Sequence, residues 1–196
     1  MDRLHAIENR FAPETAVLLL LLLGAVILGC WALKMQARAA KYRKLAMTDP
    51  LTGLGSRYAY GRLAEQYGND PVPTDLCLVF LDIDGLKTVN ETSGHSVGDG
   101  LIAHTGRCMG EAFGDGTCFR MGGDEFLAVL TADVQTVEHA LARFDGLIAQ
   151  WNGAHEDPLS VSRGVAAARN YPGMTFDQLL TAADREMYRH KKQGGH

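Results

Sequence analysis

No two cysteines in this chain stand in a CxxC arrangement. The four that exist, Cys30, Cys77, Cys108 and Cys118, lie singly in apolar segments. That excludes a zinc ribbon or a disulfide frame and reads as buried free thiols in a reducing compartment. Basic residues are scarce where a polyanion would need them. Residues 1–44 hold seven Lys/Arg against three acids, so with −4 overall residues 45–196 carry −8. An acidic globular part argues against a nucleic-acid polymer as partner and suits carboxylates that hold metal ions. Charge itself is missing over one long stretch, from Thr15 to Leu33. Outside it there is no internal repeat and no low-complexity segment.

The uncharged stretch is aliphatic throughout Val17–Leu23 and has Trp31 near one end. At about 1.5 Å per residue, roughly 19 residues just span a hydrocarbon core of about 30 Å. A cleaved signal peptide would need a basic leader, whereas Met1–Glu14 mixes Asp2, Glu8 and Glu14 with Arg3 and Arg10. A lipoprotein site at Ile27–Cys30 would lie too deep in the apolar run. Lys34, Arg38, Lys41, Arg43 and Lys44 crowd the C-terminal flank, which places that side in the cytoplasm. The expected organisation is a short extracytoplasmic tail over 1–14, a transmembrane helix over 15–33, a basic helical linker over 34–48, and a globular unit over 49–196. The chain would be a single-pass protein of the inner membrane. So short a tail holds no folded sensor, so an input signal would arrive through the membrane, the linker or a partner. Leu33, Ala37, Ala40, Lys44 and Met47 recur at helical spacing. They fit either a basic stalk lying near anionic headgroups or a short parallel coiled coil.

Thr48–Arg57 is rich in breakers and ends the stalk helix. Ser56 caps a new helix with Tyr60, Leu63, Ala64 and Tyr67 on one face. Leu76–Leu81 is a continuous apolar run, hence a central strand, and it discharges into Asp82-Ile83-Asp84. Gly85–Asn90 and Gly94–Asp99 read as glycine-rich turns with Lys87 beside them, able to cradle phosphates through backbone amides. A helix follows with Leu101, Ile102, Cys108, Met109, Ala112 and Phe113 inward. Cys118–Leu130 is a hairpin turning at Gly122-Gly123. Asp133 caps a helix with the stripe Val134, Val137, Leu141, Phe144, Ile148 and Trp151. A strand over Leu159–Ala166 precedes a capping box, Thr175-x-x-Gln178, which opens the last helix. The order β-α-β-β-α-β-α predicts an α/β, palm-like sandwich of the split-βαβ kind, with helices on one face.

A central strand ending at Asp82 and a neighbouring tip carrying Asp124 and Glu125 place carboxylates from two strands at one end of the sheet, with Asp124 opposite Asp82. That arrangement is similar to the two-metal sites of nucleotide cyclases and polymerase palms. The successive segments Asp49-Pro50-Leu51-Thr52-Gly53-Leu54, Asp82-Ile83-Asp84-Gly85-Leu86-Lys87, Asn90, Gly94-His95-x-x-Gly98-Asp99, Arg120-x-Gly122-Gly123-Asp124-Glu125-Phe126 and Asp184-x-x-Met187-Tyr188-x-x-Lys191 resemble, in order, the motifs of GGDEF-domain diguanylate cyclases.

The resemblance implies condensation of two GTP into cyclic di-GMP with loss of two pyrophosphates, by a homodimer in which each domain holds one GTP. It implies Mg²⁺ or Mn²⁺, two per active site, on Asp82, the Ile83 carbonyl, Asp124 and Glu125. Asp124, Glu125 and Asp82 would be the catalytic acids, with Asp124 nearest the 3′-hydroxyl. The Gly85 and Leu86 amides, Lys87 and Lys191 would hold the triphosphate, and Asn90 and Asp99 would read guanine. Gly122 and Gly123 would leave room for the nucleotide. Arg120 would support charge on the phosphates or form a structural ion pair. The alternative function is a catalytically weak or inactive module that binds GTP or cyclic di-GMP. Departures from the pattern are informative. Phe113-Gly114-Asp115-Gly116 stands where the family's inhibitory Arg-x-x-Asp begins, so no inhibitory product site is expected. Gly194-Gly195-His196 replaces a common basic residue, which would weaken triphosphate binding modestly.

Overall fold

Strand β1 (Leu76–Ile83) is buried along its whole length and organises the globular part. In this computed structural model, residues 2–155 and 157–192 are described. The chain divides into two units, Met1–Leu45 and Ala46–His196. The first is helix α1, which runs Asp2–Ala46. Within it, Thr15–Ala39 is long and apolar enough to cross a membrane, and none of that stretch is buried.

In the second unit, α2 (Arg57–Tyr67) precedes β1, and α3 (Leu86–Thr92) and α4 (His95–Phe113) follow it. The hairpin β2 (Cys118–Gly122) and β3 (Glu125–Thr131) comes next, then α5 (Val134–Asn152), β4 (Val161–Ala167) and α6 (Phe176–Lys192). The strands form one antiparallel sheet in the order β2-β3-β1-β4. β3 lies between β1 and β2, and β1 lies between β3 and β4. Each crossover, through α3 and α4 or through α5, therefore skips one strand, as a split βαβ requires.

Alternation along β1 sends its side chains to two cores. Cys77, Val79, Leu81 and Ile83 pack with Leu101, Ile102 and Met109 of α4 and Val137 and Phe144 of α5. Leu76, Leu78 and Phe80 pack with Ala59 of α2 and Phe176, Leu179, Ala183 and Met187 of α6. Helices thus cover both faces of the sheet, where the sequence pattern suggested one. The two crossover helices do share a face. The other face is closed by helices that flank the βαββαβ core in the sequence, and an amphipathic stripe does not say which side of a sheet it covers.

The caps read from sequence are in place. Ser56 Oγ accepts from Ala59 N–H at 3.2 Å, and Asp133 Oδ1 accepts from Thr136 N–H at 2.8 Å. Thr175 N–H donates to Gln178 Oε1 at 3.0 Å, and Gln178 N–H donates back to Thr175 Oγ1 at 3.4 Å. Two differences concern the glycine-rich segments. Gly85 alone makes the first turn, with φ 67°, and helix α3 starts at once. Gly94 is the cap of α4, so Gly98 and Asp99 lie inside that helix. Val134, at the start of the α5 stripe, is exposed.

Candidate active site

The hairpin tip is a two-residue turn, Gly123-Asp124, closed by the pair Gly122 and Glu125. Gly122 has φ 149° and Gly123 φ 53°, conformations in which a side chain would be strained. Positive φ at the first central residue suits the right-handed twist of the flanking strands. The ladder register sets Glu125 opposite Asp82. This corrects the expectation that Asp124 would stand opposite Asp82. Asp124 belongs to the turn, where its carbonyl accepts from Ile83 N–H at 3.1 Å.

The two adjacent acids serve different clefts. Asp124 and Gly123 line an open cleft of about 520 Å³ with Leu86, Lys87, Asn90, Glu91 and His95. Glu125 lines a smaller one, about 270 Å³, with Arg57, Phe80, Met121, Leu180, Thr181 and Asp184. The first cleft gathers residues from α3, the start of α4 and the hairpin tip, which is the nucleotide position the motifs imply. Asp99, one turn into α4, is exposed and does not line it. Its neighbour Gly98 is buried, and a Cβ there would overlap the Asn90 amide. The Asn90 Oδ1 is itself buried without a hydrogen-bond partner. Lys87 is exposed and 3.8 Å from Glu91.

Asp82 is 8% exposed and receives a 2.5 Å hydrogen bond from Lys191 Nζ of α6. Burial raises its pKa against the pull of Lys191, and the charges of Asp124 and Asp84 raise it further. Burial also raises Glu125, with added repulsion from Asp124, Asp82 and Asp184. Lys191 loses by burial but rises on balance because Asp82, Asp84 and Asp124 surround it. Such crowding of hard oxygen donors is the chemistry of a divalent-cation site. Among the described residues, no three His, Cys, Asp or Glu side chains converge as a ready-made metal group.

Arg120 does not line the first cleft, and it forms an ion pair with Asp49. Its Nη2 and Nε donate to the Gly123 carbonyl at 2.8 and 3.2 Å, and Nη1 contacts the Asp49 carboxylate at 3.3 Å. Asp49 also accepts from Thr52 N–H at 2.9 Å and Thr52 Oγ1 at 2.8 Å. The Asp49–Leu54 loop is therefore fastened to the hairpin tip through one guanidinium. Burial opposes the Asp49 charge, but the Thr52 hydrogen bonds and Arg120 outweigh it and hold the carboxyl below the usual range. A depressed carboxylate stabilises the fold above its unfolded pKa, and that contribution is lost as pH falls through the folded value. Asp49→Asn is expected to shift the acid-unfolding midpoint toward neutral pH, followed by circular dichroism between pH 6 and 2. An unchanged acid limb would contradict this role.

Asp84, the second carboxylate of the run and not among the expected cation ligands, accepts from two serine hydroxyls at the start of β4, Ser160 and Ser162. His95 on the cleft wall and Asp184 in the second cleft stood in the motif series without an assigned role. Glu91, Arg57 and Thr181 were not legible as site residues, since only the packing of separate elements brings them to the hairpin. The tail Gly194-Gly195-His196 lies outside the described residues.

The profile of the family described as "Diguanylate cyclase, GGDEF domain" matches residues 46–196. Diguanylate cyclase DgcN of Escherichia coli is 31% identical over 170 residues, which is 83% of this chain and 41% of DgcN. The chain thus spans less than half the length of that relative. Among solved structures, diguanylate cyclase SiaD of Pseudomonas aeruginosa, in complex with its activator SiaC, is 26% identical with a TM-score of 0.64. That likeness covers 99% of this chain and 81% of SiaD. The coiled coil and GGDEF domain of Caulobacter crescentus DgcB has a TM-score of 0.67 at 22% identity, covering 96% of each chain. At that identity it speaks for the fold alone.

Proposed function

The chain belongs to the GGDEF-domain diguanylate cyclase family, and on that premise we propose that it condenses two GTP into cyclic di-GMP with release of two pyrophosphates. It would act as a homodimer of GGDEF domains, anchored by α1 in the inner membrane with its N-terminus outside and the catalytic domain in the cytoplasm. The observation that carries this reading is the cleft where Leu86, Lys87 and Asn90 meet Gly123 and Asp124, beside the crowded acids Asp82 and Glu125.

In this reading, the triphosphate lies against the Gly85 and Leu86 amides, with Lys87 and Lys191 offsetting its charge. Asp82, the Ile83 carbonyl, Asp124 and Glu125 would hold two Mg²⁺ or Mn²⁺ ions, which would stabilise charge on the phosphates. Asn90, whose side chain lies against Gly98, would read the guanine edge, and Asp99 would accept from guanine N1–H and the exocyclic amine. Asp124 takes the proton of a 3′-hydroxyl. That oxygen then bonds to the α-phosphorus of the GTP on the partner domain, and pyrophosphate leaves. One domain holds half of the reaction, so the rate should rise with protein density in the membrane. Arg120 acts by holding the tip, not by touching phosphate.

Incubation of the full-length protein in nanodiscs with GTP and Mg²⁺, read by mass spectrometry, tests this. Cyclic di-GMP from the unchanged protein and none from Asp124→Ala is the expected result. Nucleotide binding without product would identify a binding module instead. With no Arg-x-x-Asp at 113–116, added cyclic di-GMP should not inhibit through that position.

Gly98→Ala makes the guanine contact a separate target. A Cβ at 98 meets the end of a side chain, so Asn90 can swing aside at little cost to the fold. The KM for GTP should rise about tenfold, roughly one lost hydrogen bond, with stability changed by less than about 1 kcal/mol. Equal KM values for both proteins would remove Asn90 from recognition.

A further inference from the structure

The Asp82-Ile83-Asp84 run offers two carboxylates to a cation, yet the fold uses them differently. Strand alternation puts Asp82 on the α6 side, where Lys191 meets it. Asp84 lies one residue past the end of β1, and its carboxylate and N–H turn to Ser160 and Ser162 at the start of β4. Its Oδ2 accepts from Ser160 Oγ at 2.8 Å and its Oδ1 from Ser162 Oγ at 2.8 Å. Its N–H donates to the Ser160 carbonyl at 2.9 Å. Ser162 is fully buried, so one end of this clamp is rigid.

The residue after the clamp is Gly85, whose left-handed backbone turns the chain directly into α3. Val89 N–H closes the first turn on the Gly85 carbonyl at 3.1 Å. α3 is only seven residues long, too short to hold its own direction. Where Lys87 and Asn90 point therefore depends on what holds residue 84 at one end, together with the burial of Leu86 in the core. We propose that Asp84 is a positioning residue, with Ser160 and Ser162 as its anchors: the clamp aims the Gly85–Asn90 segment at the hairpin tip, and its carboxylate is not a cation ligand. The inference deepens the nucleotide-site reading and rests on it for the identity of the ligand.

Hydrogen exchange on the full-length protein in nanodiscs, followed by mass spectrometry, reads the clamp without any ligand. In Ser160→Ala/Ser162→Ala and in Asp84→Asn, amides of residues 85–92 should exchange about tenfold faster, while those of 76–82 keep their protection. Ser160→Ala alone is the milder variant should the double change fail to fold, and Ser160→Thr, which keeps the hydroxyl, should restore protection. In steady-state assays both clamp variants should raise KM for GTP about tenfold with kcat within about twofold. Half-saturation by Mn²⁺ at saturating GTP should stay the same. Unchanged exchange at 85–92 would overturn the proposal. So would an Asp84→Asn protein that needs about tenfold more Mn²⁺ while the serine variants do not, since that pattern belongs to a cation ligand. Faster exchange in a protein that binds no GTP would leave the clamp standing and reject the nucleotide reading.

Discussion

Gly164→Ala is expected to cost the globular unit about 3 kcal/mol or more, a large share of the roughly 5–15 kcal/mol that holds a typical domain. Gly164 lies in the middle of β4, directly under α6. A Cβ there would overlap the Ala183 carbonyl oxygen and the Met187 amide nitrogen. Both are backbone atoms of a helix, so neither can rotate away as a side chain would. The helix must lift, and with it the contacts of Phe176, Leu179, Ala183 and Met187 with Leu78 and Phe80. Lys191 would also be drawn away from Asp82, so residual activity should fall more steeply than the folded fraction. Urea unfolding followed by fluorescence or circular dichroism measures the loss. Gly146→Ala is the matched control, because Gly146 is exposed on α5 with nothing within 4 Å of the new Cβ. It should gain up to about 1 kcal/mol from helix propensity alone. Equal midpoints for Gly164→Ala and the unchanged protein would mean that α6 does not press on β4.

Asp82→Asn should reduce cyclic di-GMP formation by at least about 10³-fold while leaving the fold intact or firmer. The two effects have one cause. Asp82 is buried among Asp124, Asp84 and Glu125, with Lys191 as its hydrogen-bonded cation. Its folded pKa is raised, so ionisation weighs against the folded state at neutral pH. Stability should therefore increase as pH falls through the folded value, the opposite sign to Asp49. Asparagine removes that penalty and keeps an acceptor for Lys191. Thermal unfolding at pH 7.5 should show a melting temperature equal to or above that of the unchanged protein. Added Mg²⁺ and GTP should raise it further only where Asp82 is present. A clear drop in melting temperature for Asp82→Asn would show that the Asp82–Lys191 pair is a structural bridge first. Retained product formation would remove Asp82 from the reaction.

Much of the local structure was legible in the sequence. Ser56, Asp133 and the Thr175/Gln178 box cap the helices they were read to cap, because capping is local chemistry over three residues. The hairpin was legible for the same reason, although its turn falls at Gly123-Asp124, one residue later than the glycine pair Gly122-Gly123 suggested. Three features were not legible because they turn on register and long-range packing. Glu125 rather than Asp124 faces Asp82, since strand pairing counts residues from a turn whose second position is Asp124. Arg120 goes to Asp49, 71 residues away in the chain, and Asp84 goes to Ser160 and Ser162, 76 and 78 residues away. No spacing rule reaches that far.

The sequence by itself determined the order of elements, the apolar segment at Thr15–Leu33, the motif series and the family. Each rests on side chains whose periodicity or turn chemistry acts within a few residues. The tertiary structure decided that helices close both faces of the sheet, that adjacent acids look into separate clefts, and that Gly164 admits no side chain. Those outcomes depend on how closely β1, β4, α6 and the hairpin approach one another. That distance is set by the packing of both cores together and is written in no single segment.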